Sequence, residues 1–216
     1  MTEKSRLRYI IPGVILYLAV PLLYMIFGNF PDRTILKEAV SLLTVGAFFL
    51  MLGQFYLTRI NKITLKGQKF SRVVILHKVI GYVFIPVLFL HPFLVVFPRY
   101  YEGGVDPVNA FKTILTTFGS KGIIMGFAAM ALMILIGITS MFRKKMKMKY
   151  TTWRYSHGFL SIAFVVLATW HAVDLGRHTD AFLSTYMIGM AAIGIFFLAK
   201  LYFVEAGKIP QEAVNE

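Results

Sequence analysis

The sequence predicts an all-α membrane protein, a single bundle of six transmembrane helices with both termini in the cytoplasm. Three observations carry that expectation. Of the 216 residues 57% are hydrophobic, and the mean hydropathy is +0.69, a composition that belongs to membrane proteins rather than soluble domains. Six apolar stretches, roughly 9–27, 36–57, 73–97, 119–142, 153–175 and 181–203, have the ~20 residues needed to cross a hydrocarbon core of ~30 Å. The connections between them alternate in charge. Residues 1–216 therefore read as one polytopic domain, in contact with the lipid bilayer and resident in the cell membrane.

In chain order, the N-terminus carries Lys4, Arg6 and Arg8. The first stretch lacks a small-residue cleavage signature and is followed by five more, so it reads as a retained helix rather than a signal peptide. GNFPDR then forms a turn before the second stretch, with Asp32 and Glu38 close by. The second stretch leads into TRINKITLKGQKFSR (58–72), where Arg59, Lys62, Lys66, Lys69 and Arg72 stand without an acid. After the third stretch the connection 98–121, with its turn EGGVDP, holds Glu102 and Asp106 and is near neutral. RKKMKMKYTT (143–152) follows the fourth stretch and is again purely basic, with Arg143, Lys144, Lys145, Lys147 and Lys149. The connection 174–180 carries Asp174 and Asp180. Basic connections mark the cytoplasmic side, which places both termini there.

The net charge of +13 is thereby accounted for by topology. A nucleic-acid-binding surface needs a contiguous basic face, whereas these charges sit at helix ends. With no cysteine in the chain, disulfides, thiolate metal sites, iron–sulfur clusters and CxxCH haem attachment are excluded.

The chemistry lies in two stretches. LHKVIGYVFIPVLFLHP (76–92) carries His77 and His91, and SHGFLSIAFVVLATWHA (156–172) carries His157 and His171, each pair 14 residues apart. Fourteen steps at ~100° return to within about 40° of the same helix face and rise ~21 Å. The third and fifth helices both start from basic connections and run in the same direction. His77 and His157 stand four residues past the predicted helix starts, His91 and His171 eighteen past, so the four rings form an inner level and an outer level of two rings each.

An imidazole inside a membrane is costly and marks a site by default, although interhelical hydrogen bonding or a proton relay would also use one. Two imidazoles per level suit the axial positions of a haem iron, because the porphyrin supplies the other four nitrogens. Zinc would need about four protein ligands together. Two b-type haems stacked between helices three and five, with both axial positions filled, favour electron transfer over oxygen activation. Phe84 and Phe164 are each seven residues from both histidines of their helix and so lie near the same face between the levels, where they could fill the gap or serve as ordinary packing residues. Gly81 and Gly158, beside the inner ligands, could admit a flat macrocycle. Lys78 and Arg154 could meet haem propionates or a flavin phosphate, or act as orientation charges. Arg99, Arg177 and His178 mark the outer side; His178, in the loop DLGRHTD, is expected to be solvated.

With six spans and these two histidine stretches, nearly the whole chain resembles the ferric-reductase-like transmembrane domain family, which includes NADPH oxidases and ferric-chelate reductases. The resemblance implies His77 with His157 for the inner haem and His91 with His171 for the outer. Family members usually continue into a cytosolic flavin and nicotinamide domain, whereas this chain ends 13 residues after its last predicted span. It shows no GxGxxG between a strand and a helix. The expectation is therefore a haem subunit reduced by a cytoplasmic flavoprotein or a quinol, with any flavin supplied by or shared with that partner. The external acceptor would be ferric iron, an exported flavin, oxygen or a partner protein. In size the chain is also similar to the membrane haem subunit of bacterial methionine-sulfoxide reductase systems, a second assignment. A histidine-based metal-ion or proton transporter is a third, although transporters commonly place their sites near the midplane.

Overall fold

The computed structural model describes residues 11–31, 33–64, 71–117, 119–176 and 178–203, with side chains throughout except at 58–64, 71–73 and 203. Both chain termini, Asp32, Arg177 and the basic side chains of 58–72 lie outside that description. Every regular element among the described residues is helical: α1 (Ile11–Phe27), α2 (Ile35–Thr64), α3 (Ser71–Gly103), α4 (Pro107–Thr116), α5 (Lys121–Met141), a 3₁₀ turn (Arg143–Lys145), α6 (Tyr150–Leu175) and α7 (Ala181–Phe203). Five of them, α2, α3, α5, α6 and α7, are long and apolar enough to cross a membrane. The protein is thus a multi-pass membrane protein. α1 is a sixth apolar helix, shorter over its described residues.

Proline shapes two of these helices. In α1 Pro21 has no N–H for the carbonyl four residues back, and just before it Ile15–Ala19 is wound as a π-helix, with the Val20 N–H reaching the Ile15 carbonyl. In α3 Pro86, Pro92 and Pro98 lie inside one continuous helix. Each leaves a carbonyl to be satisfied elsewhere, and one of these matters at the site below.

The segment 98–121, expected to be a plain connection, holds α4. Asp106 accepts the Asn109 N–H at 2.9 Å, and Pro107 occupies the first turn, an N-cap followed by a proline that needs no partner. Phe111 of α4 stacks on Phe93 of α3 at 4.6 Å and 20°, so the short helix is held against α3.

In lipid the drive for helix association is close packing rather than escape from water. The core gathers Tyr17 and Met25 of α1, Phe49 and Leu52 of α2, Met133 of α5, Phe164 and Val165 of α6, and Leu183 and Met187 of α7. Glycines let rings approach: a Cβ on Gly194 of α7 would stand 3.1 Å from the Phe55 side chain of α2. α5 packs closely on α6, and α2 on α3 and α7. α3 and α6 are not among the closely packed pairs, which leaves a gap between the two histidine helices.

The three balanced connections meet at one end of the bundle. Lys37 and Thr34 both reach Glu102, and the Tyr24 hydroxyl donates to Asp180. Asp180 also caps α7, accepting the Leu183 N–H at 2.9 Å; that bond first, and the Tyr24 hydroxyl second, hold its carboxyl below the ordinary range. The basic turn 143–149 lies beyond the other ends of α5 and α6. Among the described residues, the balanced connections and the basic turn 143–149 therefore stand at opposite ends of the bundle.

Candidate functional site

The four histidines come together as two pairs across the gap. His77 and His157 have ring centres 6.1 Å apart with planes crossed at 72°. For His91 and His171 the values are 5.8 Å and 62°. Two imidazoles bound to one metal at ~2.0 Å per nitrogen stand with ring centres about 6 Å apart, so each pair has the separation of two ligands on a common metal.

The outer hydrogen bonds of the rings decide which nitrogen is available. Pro92 cannot donate to the carbonyl of Leu88, four residues back, and that carbonyl accepts the Nδ1–H of His91. His171 donates its Nδ1–H to the carbonyl of Gly122 in the first turn of α5, at 2.9 Å. A carbonyl only accepts, so in both rings Nδ1 carries the proton and Nε2 keeps its lone pair. Ser140 of α5 gives its proton to the Ile136 carbonyl at 2.6 Å, leaving its oxygen to accept from Nδ1 of His157 at 3.2 Å. The Nδ1 of His77 is buried without a hydrogen-bond partner. Three of four rings thus have the donor anchored behind the lone pair, the arrangement by which outer contacts orient metal-binding histidines.

α5 supplies both anchors for α6, and its glycines make room. A Cβ at Gly126 would lie 2.4 Å from Nδ1 of His171, and one at Gly122 2.3 Å from the Asp174 carboxylate. The motif GIIMG (122–126) is the small-xxx-small spacing of close helix pairs, the sequence signal of this close approach. By contrast, a Cβ at Gly81 or Gly137 would meet only Ile85 Cδ1, at 3.9 and 4.0 Å, so both border open space near the His77 level.

A cavity of about 440 Å³ contains His91 and His171 and is bordered by Phe164, Met133 and Gly126. That is within the range of cofactor pockets, ~300–1,000 Å³. Arg33, Lys37, Arg99 and His178 border it as well. Two of these cations come from the start of α2 and the residues just before it, Lys37 and Arg33, which are far from the histidines in sequence. Nη1 of Arg33 is buried without a partner.

The secondary candidates fare unevenly. Phe164 is buried and lines the cavity; Phe84 is half-buried and does not. Lys78 is exposed. Arg154 turns toward α7, its guanidinium over the Tyr202 ring at 5.2 Å and its carbonyl accepting the Tyr202 hydroxyl at 2.9 Å. Two expectations are corrected. Gly158 does not admit a macrocycle, because a Cβ there would already be 2.3 Å from the Tyr202 ring, which fills that space. His178 is not solvated: it is 3% exposed, its Nε2 is 3.1 Å from the Glu38 carboxylate, and it meets Phe30 edge-on at 4.8 Å. Its loop folds over the start of α2 instead of extending outward.

Among the described residues no group of three or more His, Cys, Asp or Glu side chains gathers to hold a bare metal ion. The donor set is two imidazoles per level, which fits a metal whose remaining ligands come from a macrocycle. The family model described as ferric reductase like transmembrane component matches residues 43–168, a span that contains His77, His91 and His157 and ends three residues before His171. An uncharacterized protein of Archaeoglobus fulgidus is 35% identical over 160 residues, covering 74% of this chain and 87% of that protein. No solved structure matches.

Proposed function

Because the chain belongs to the family of ferric-reductase-like transmembrane components, we propose that it conducts electrons across the membrane through two b-type haems, an inner one on His77 and His157 and an outer one on His91 and His171. The observation that supports this most directly is the pair of imidazole separations, 6.1 and 5.8 Å, on two helices whose backbones stay apart. Bound haem would supply a one-electron couple at each level. The chain's own groups do the rest. The Leu88 and Gly122 carbonyls and the Ser140 hydroxyl hold Nδ1 protons, keeping three Nε2 lone pairs available and three rings fixed. The cavity wall is mostly apolar, while Arg33, Lys37 and Arg99 at its border could receive carboxylates of the outer group. Two histidines at each level would leave a bound haem no open position for oxygen or a metal substrate, which favours delivery of electrons to an acceptor beyond the outer level.

In this reading the basic ends of the bundle face the cytoplasm, all six apolar helices cross the membrane, and the donor is a flavoprotein or a quinol there. The acceptor is ferric iron, an exported flavin, oxygen or a partner protein. The deciding experiment is an optical spectrum of the purified chain with a haem assay. Two b-type haems per chain are expected. A colourless, fully folded preparation would overturn the proposal.

Two further results are expected. NADPH added anaerobically to flavoprotein-free protein should leave the haem bands oxidised, since no dinucleotide-binding motif is present. Reduction should follow on adding a reductase, more slowly at high salt because lysine-rich docking is screened. Rapid reduction by NADPH alone would reveal a nucleotide site in this chain. His178→Ala should keep both haems, because the ring is committed to Glu38; loss of the outer haem in that variant would make His178 part of the ligand set.

A further inference from the structure

The inner ligand His157 is held on two sides. Its edge is tied to Ser140, and its face is covered by Trp153, with ring centres 5.0 Å apart and planes inclined by 30°. Trp153 stands four residues before His157 on α6 and so projects from the same helix face. The stack continues. Tyr150 stacks on Trp153 at 5.9 Å and 25°, and the Arg143 guanidinium lies 4.3 Å from the Tyr150 ring centre and 5.3 Å from that of Trp153. Arg143 opens the 3₁₀ turn that leaves α5, so this turn brings the first cation of the basic segment back over the start of α6. Nothing in the histidine spacing requires an indole here, and the Trp153 Nε1 is buried with no partner. A ring kept in place without its hydrogen bond is kept for its face.

We infer that Trp153, clamped by Arg143 and Tyr150, is the positioning residue of the inner ligand: it fixes the plane of the His157 imidazole and, with Tyr150, holds the fixed positive charge of Arg143 near the inner haem. This rests on His157 being an axial ligand. Two consequences are separable. Rotation of His157 about its bond to Ser140 is blocked by the indole face, so Trp153 fixes the His157 plane in its 72° crossing with His77. Crossed axial imidazoles give a ferric haem a more anisotropic low-spin resonance than parallel ones, and the resonance therefore reports the plane. Separately, a cation favours the ferrous over the ferric state of a nearby haem. A unit charge on the order of 10 Å away in an effective dielectric of about 20 changes such an equilibrium by about tenfold, which for a one-electron couple is 59 mV.

The test compares purified wild type with Trp153→Leu, Trp153→Phe, Arg143→Gln and Arg143→Lys, using electron paramagnetic resonance and a redox titration of the haem bands. The outer haem is the internal reference. Trp153→Leu should retain two haems while changing the resonance of the inner one alone, and Trp153→Phe, which keeps an aromatic face, should restore most of the wild-type signal. Arg143→Gln should lower the inner potential by up to a tenfold equivalent with the outer unchanged, and Arg143→Lys should preserve it. An inner resonance in Trp153→Leu identical to wild type would overturn the positioning role. Equal potentials in the Gln and Lys variants would overturn the electrostatic one. Wild-type protein without haem would instead sink the functional proposal itself, an outcome visible before any variant is made.

Discussion

His77→Leu and His157→Leu will each perturb one haem, the same one, and largely spare the other; His91→Leu and His171→Leu will do the same at the other level. In every single variant the spectrum of one haem should be lost or converted to a different spin state, with the other unchanged. The expectation follows from pairing across helices: the ring centres within a level are 6.1 or 5.8 Å apart, while the two histidines of one helix are separated by 14 residues, a rise of ~21 Å. Leucine fills similar space without a lone pair, so a haem bound at that level would keep only one protein nitrogen, and its spin state would change or the site would empty. The doubly substituted His77→Leu/His157→Leu protein should look like either single variant, because residues acting on one group are not additive. Spectra of both haems lost together from one substitution would indicate misfolding. Two haems of unaltered spectrum in His77→Leu would show that the pairs are not ligand pairs at all.

How much of this was legible in the sequence depends on the range of the interaction. The histidine levels were legible because helical rise and turn are fixed by the backbone, and a spacing of 14 on two helices of the same direction leaves little else to determine. The orienting contacts were partly legible. Pro92 directly after His91 announces a free carbonyl at Leu88, and Asp106 before Pro107 announces the start of α4, but hydropathy, which dominates such segments, carries neither signal. Contacts between helices were not legible. That Tyr202 fills the space beside Gly158, or that Glu38 receives His178, depends on which faces of α2, α6 and α7 meet, and apolar residues on all sides of a membrane helix erase the periodicity that would show it. Arg33 and Lys37 entered the outer cavity for the same reason: their proximity to His91 and His171 is a property of packing alone.

The second large effect is expected from a single methyl group. Gly126→Ala should disturb or empty the outer haem and leave the inner one unchanged. A Cβ at this position would stand 2.4, 2.7 and 3.0 Å from Nδ1, Cε1 and Cγ of His171, closer than carbon approaches a ring. The ring has nowhere easy to go, since its Nδ1–H is anchored 2.9 Å from the Gly122 carbonyl one turn earlier on α5. Either the imidazole swings and loses that bond, or α5 and α6 separate, which in a packed interface costs about 1–3 kcal/mol. Both routes move Nε2 relative to His91. Gly137→Ala is the matched control on the same helix, because its Cβ would meet only Ile85 Cδ1, at 4.0 Å, an ordinary contact; both haems should survive it. Helical propensity favours alanine by about 1 kcal/mol at either site, so the two variants differ in contact rather than in backbone preference. Haem spectra and thermal unfolding of the pair separate the cases. Two unaltered haems in Gly126→Ala would mean that His171 is not held by α5 as described, and loss of both haems in Gly137→Ala would mean that α5 tolerates no added carbon and that the Gly126 effect is not specific to the ligand.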